Sequence, residues 1–195
     1  MTANDTPTVT RASNPASMIS PVTRQISPLL AISVAGVTAV GVATGFLRYL
    51  DRSPIRESTA PGASAWGQQL AVAAVAGLLY GLARWRHRRR FGRGSGRLLL
   101  LAPVGRDAAA RLLAAARQAS WRTAAALPLL AVICYCCWRV GEQVTAGLDP
   151  NFTANAWGGP SYLGAMACHY LDIALLVGAC GWLLDKTLPQ AARSR

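Results

Sequence analysis

The stretch that decides the fold is residues 66–97, WGQQLAVAAVAGLLYGLA running directly into RWRHRRRFGRGSGR. Eighteen residues without a charge, Trp66 to Ala83, meet a segment carrying Arg84, Arg86, Arg88, Arg89, Arg90, Arg93 and Arg97. A helix crosses a ~30 Å hydrocarbon core with about 20 apolar residues, at ~1.5 Å of rise each. Basic residues resist translocation and gather on the cytoplasmic side of such a span. The stretch therefore reads as a membrane helix with its cytoplasmic end marked in arginine.

Three further runs flank it. Leu29 to Leu47 holds 19 residues without a charge, and Thr123 to Trp138 holds 16, Pro128 among them. Ser161 to Leu184 holds 24, broken only by His169 and Asp172. The third run reaches across once Trp121 and Arg122 count as interfacial residues. Lipid leaves no backbone group a water partner, so each span must be helical, and the runs are too long and continuous for barrel strands. Of 195 residues, 52% are hydrophobic and 14% are charged, too apolar a balance for an ordinary soluble domain of this size. The predicted fold is all-α, a four-helix transmembrane bundle with spans 29–47, 66–83, 121–138 and 161–184. Residues 1–28 and 185–195 are its tails.

Charge sets the orientation. Residues 84–120 hold ten arginines against Asp107 alone, whereas 139–160 holds Arg139 against Glu142 and Asp149. Residues 48–65 are mixed, with Arg48, Arg52 and Arg56 against Asp51 and Glu57. The middle loop is expected in the cytoplasm, and both termini with it. A cleaved signal peptide around the first run fits poorly. Its n-region would be unusually long, and the run exceeds the usual ~7–15 residues. Nineteen of the 20 basic residues are Arg, which with the abundant Ala and Gly suggests a high-GC bacterial gene. The expected location is the bacterial cytoplasmic (inner) membrane, as a multi-pass protein.

Composition divides the rest. Residues 1–28, rich in Thr, Ser, Pro and Asn without periodicity, read as a disordered cytoplasmic tail. Residues 106–120 read as an amphipathic helix, with Leu112 and Leu113 on one side and Arg106, Arg111 and Arg117 nearby, able to lie in the interface plane. Gly41 and Gly45 in the first span, and Gly77 and Gly81 in the second, have the spacing that lets helix backbones approach closely. They predict a tight first hairpin. Asn151-Phe-Thr153 forms a glycosylation sequon that a bacterial protein would ignore. Gly92, Gly94 and Gly96 follow no strand and are no dinucleotide fingerprint.

Three constellations could carry chemistry. Arg84 to Arg97 lies just cytoplasmic of a span, where each basic residue adds about 1 kcal/mol of attraction to anionic lipids. It serves as a topology anchor, a lipid or partner surface, or, with Trp85 and Phe91 able to stack on bases, a nucleic-acid surface, the weakest of the three. His169 and Asp172 are three apart on one helical face near the midplane, where a charge costs about 2.5–3.5 kcal/mol. They form either a packing pair or a proton or ion relay. Haem ligation fails, because the other histidine, His87, sits in the basic loop. Cys134 and Cys137 form a C-x-x-C near the outer end of the third span, and Cys168 enters the fourth from the same side. They could serve thiol–disulfide exchange, form a structural disulfide, or pack as small buried hydrophobes. No catalytic motif, metal cluster or cofactor site is legible.

Residues 156–172, AWGGPSYLGAMACHYLD, resemble a segment of small uncharacterised four-helix integral membrane proteins of high-GC bacteria. The resemblance implies that architecture and no activity. Within it, Gly158-Gly159-Pro160 predicts a turn that opens the last helix with Pro160 near its first position. The expected function is a non-enzymatic accessory or scaffold subunit that docks lipids or partners through its arginines, as a homo-oligomer or beside another membrane protein. The alternatives are a small ion- or proton-coupled transporter using His169 and Asp172, and a membrane thiol–disulfide oxidoreductase.

Overall fold

The computed structural model describes residues 26–60, 64–91, 104–118 and 120–188. Residues 1–25 and 189–195 of the tails, the glycine-spaced segment 92–96 with Arg93, and Arg97 lie outside the described residues. The chain is all-α, with helices α1 (Pro28–Leu50), α2 (Trp66–Phe91), α3 (Arg106–Gln118), α4 (Trp121–Ala146), the single turn α5 (Pro150–Thr153) and α6 (Tyr162–Thr187). Four of them, α1, α2, α4 and α6, are long and apolar enough to cross a membrane. At most 22% of the residues in any of these spans are buried inside the chain, and Leu29, Ile32, Leu78 and Leu163 point outward. Such a surface suits lipid, where apolar side chains need no cover.

Each span runs further than its apolar core. The helix α2 continues through Phe91, so Arg84 to Arg90 sit on helix rather than loop. At 26 residues it is about 39 Å long, and its basic turns project beyond a ~30 Å hydrocarbon layer. The helix α4 passes through Pro128 and on to Ala146, taking Arg139 and Glu142 into the helix. Freed backbone groups beside a proline are re-satisfied by neighbouring helices in membrane bundles. The helix α6 is capped by Ser161, whose hydroxyl accepts from the Gly164 amide at 3.2 Å. Pro160 thus precedes the cap instead of opening the helix, and Gly159 makes the turn at φ +89°.

The helices stand in the order α1–α4–α6–α2. The tight first hairpin does not form. Gly41 and Gly45 pack on α4, and Gly77 and Gly81 face open space. A Cβ at Gly41 would overlap the Trp138 carbonyl and lie 2.9 Å from the Glu142 nitrogen. One at Gly141 would overlap the Thr38 carbonyl. The spacing signal found a close backbone approach, but glycines on one helix do not say which other helix comes near. Thr145 Oγ1 donates to the Val42 carbonyl across this seam at 2.9 Å.

Both ends of the bundle are fastened. At one, here the α3 end, α3 is not a free surface helix. Arg111, 3% exposed, reaches Asp185 Oδ1 at 2.8 Å and donates to the Asp185 and Leu188 carbonyls, each at 2.9 Å. It neutralises the partial negative charge where α6 ends and satisfies carbonyls the helix leaves open. Arg106 donates to the Ile26 carbonyl at 3.2 Å, and Ser27 N to the Val104 carbonyl at 2.8 Å. At the opposite loop end, Asn151 and Asn155 accept from the amides of Glu57 and Ala60 at 2.9 and 2.8 Å. The Asn151 amide nitrogen also donates to the Ile55 carbonyl at 2.8 Å. The sequon asparagine is a clasp between the two loops.

Candidate functional site

An open cleft of about 680 Å³ lies among α2, α4 and α6, toward the loop end. Its wall is mostly apolar, with Tyr135, Arg139, Trp157, His169 and Asp172 as the polar and aromatic members. Arg139, Trp157 and His169 also line a second cavity of about 260 Å³, bounded by Glu57, Asn151 and Asn155 of the loops. The two spaces therefore share one wall. Asp172 lies ten residues into α6, about 15 Å from its start, so the cleft reaches half the depth of the bilayer.

The charges are unevenly paired. Glu142 is 1% exposed and takes Arg48 of α1 at 3.2 Å, together with Arg139 one turn before it on α4. Two guanidiniums flank this one enclosed carboxylate, and Arg139 donates the hydrogen bond that a buried charge requires. Arg139 also stands over the Phe152 ring, 5.4 Å from its centroid. Next to Glu142, Gln143 is fully enclosed, and neither atom of its side-chain amide has a partner among the described residues. Asp172 and His169 face the same cleft, half-buried, with no hydrogen bond between them.

Sequence reasoning missed Arg139 and Glu142. The apolar run ends at Trp138, so hydropathy alone assigns both charges to a loop, whereas the helix carries them. Their spacing of three, which puts them on one helical face, was the available signal. The thiols lie elsewhere. Cys134 and Cys137 are mid-helix, on an apolar pocket of about 170 Å³ shared with Leu30, Ala108, Leu112 and Leu184. Cys168 is buried on α6, and all five cysteines are free.

The arginines Arg84, Arg86, Arg88, Arg89 and Arg90 are exposed along the last turns of α2. Arg84 donates to the Tyr80 hydroxyl at 3.3 Å, and Arg89 lies 4.0 Å over the Trp85 ring. Among the described residues no group of three or more His, Cys, Asp or Glu could hold a metal ion. No family model, curated protein or solved structure matches the chain.

Proposed function

We propose that this integral membrane protein is a non-enzymatic accessory or scaffold subunit of a bacterial cytoplasmic membrane. It is seated with α3 and both termini in the cytoplasm and docks anionic lipids or a membrane-protein partner through the end of α2. The observation that carries this is the display of five exposed arginines on helix, continuous with a lipid-facing span. Helical placement holds them at headgroup level, where anionic lipids concentrate. The test is reconstitution into mixed phosphatidylglycerol and phosphatidylcholine nanodiscs, with spin-labelled headgroups reporting the lipids beside the protein. Phosphatidylglycerol should be enriched, less so at high salt, and not at all when the five arginines become glutamine. Equal headgroup populations in the unaltered protein reject the reading.

A second reading, ion- or proton-coupled transport, is favoured by one observation. His169 and Asp172 line an open cleft at half the bilayer depth. A carboxylate at that depth with no hydrogen bond or ion pair among the described residues suits a site that trades a proton or cation. Flux in proteoliposomes tests it. Proton or cation movement that Asp172→Asn abolishes supports it, and flux indifferent to that change rejects it.

A further inference from the structure

The two parallel helices α2 and α6 do not close on each other. A groove of about 710 Å³ runs between them, lined by Ala76, Gly77 and Tyr80 of α2 and by Leu175, Gly178 and Trp182 of α6. A Cβ added at Gly77 or Gly178 would meet nothing within 4 Å, so the gap is wide as well as long. From Ala73 to Ala83 it follows ten residues of α2, about 15 Å, which is the depth of one leaflet. Its lining is apolar until the α3 end. There Tyr80 turns its hydroxyl to the guanidinium of Arg84 at 3.3 Å. Arg88 follows one turn further on the same face of α2, and Lys186 stands one turn beyond Trp182 on α6.

An apolar slot one leaflet deep with a cationic rim matches one ligand chemistry. We infer that the groove between α2 and α6 holds an acyl chain of an anionic phospholipid, whose phosphate headgroup is bound at the rim by Arg84 and Arg88. This site rests on the lipid-docking reading and narrows it from a charged surface to a single bound molecule. The small residues leave the space, the chain fills it, and the rim selects the headgroup. A partner helix would also fit a slot lined by Gly77 and Gly178, but the arginine rim gives the lipid its charge complement.

Native mass spectrometry of the full chain in mild detergent tests this, with phosphatidylglycerol and phosphatidylcholine of identical acyl chains as probes. The unaltered protein should retain one phosphatidylglycerol preferentially. Each basic side chain near a surface contributes roughly fivefold in affinity, so Arg84→Gln should cut that preference about fivefold. The pair Gly77→Leu and Gly178→Leu fills the groove without touching the arginines and faces open space, so folding should survive it. It should abolish the retained lipid while leaving the headgroup enrichment in nanodiscs intact. Retention undiminished by the filled groove overturns the site, as does equal retention of the two lipids or a dimer that the filled groove dissociates. If the nanodisc enrichment is itself absent in the unaltered protein, the broader lipid reading has failed instead.

Discussion

Substituting Gly41 by alanine adds one methyl group where α1 meets the backbone of α4. The new carbon would overlap the Trp138 carbonyl and stand 2.9 Å from the Glu142 nitrogen, both backbone atoms of α4. Carbon contacts settle at about 3.5–4.0 Å, so the helices must part by on the order of 1 Å. Overpacking of this kind costs about 1–3 kcal/mol. Parting the helices also stretches the Thr145–Val42 hydrogen bond, about 0.6 kcal/mol for an interhelical bond in a membrane protein. The expected loss is about 2–3 kcal/mol. Gly77→Ala, which meets nothing within 4 Å, is the control and should change stability by less than about 0.5 kcal/mol. The assay is unfolding in mixed detergent micelles, followed by helical circular dichroism. Equal unfolding midpoints for the two variants would refute the α1–α4 seam.

Three other outcomes can be checked. Arg111→Met should destabilise by about 3 kcal/mol in the same assay, because it leaves the Asp185 carboxylate with Lys186 alone and strands two carbonyls at the end of α6, and adding Asp185→Asn should recover part of that; a loss below about 1 kcal/mol would contradict the bonded α3. Asp172→Asn should leave the unfolding midpoint unchanged or raise it, since no hydrogen bond is lost and a costly charge goes; a fall as large as that of Arg111→Met would show that Asp172 is structurally paired. Reporter fusions at residues 105 and 150 should report cytoplasm and exterior, respectively, and the reverse pattern would invert the proposed orientation.

Hydropathy made the four spans legible because the bilayer demands one property over a fixed length, and apolar runs declare it. It did not mark where the helices end. Charges at Arg139 and Glu142 stop an apolar run without stopping a helix, so the polar layer at the loop end was hidden in an apparent loop. Arg111 was illegible for another reason. A count over residues 84–120 treats every arginine as solvated, and only the fold shows that one of them closes the end of α6, 74 residues away. The glycine spacing announced a close approach, while the partner, α4, depended on the order of helices in the bundle. His169 and Asp172 were picked out by their cost in lipid, which is local. The cleft they face is made by three helices and is not local.

The helix order α1–α4–α6–α2 has a consequence for biogenesis. The span pairings of α1 and α2 join the first half of the chain to the second, α1 tightly with α4 and α2 loosely with α6. When α1 enters the membrane, Arg48 cannot meet Glu142, its partner in the finished fold, until that residue is synthesised 94 residues later. At ribosomal rates of about 5–20 residues per second, that interval is roughly 5–19 seconds. During it the first two helices have each other's company but little mutual contact, and each waits in the bilayer, or in the insertion machinery, for a partner still being made. A chain stopped after α2 would leave two unpaired spans rather than half a protein. Quality control could recognise that state by the bare glycine face of α1.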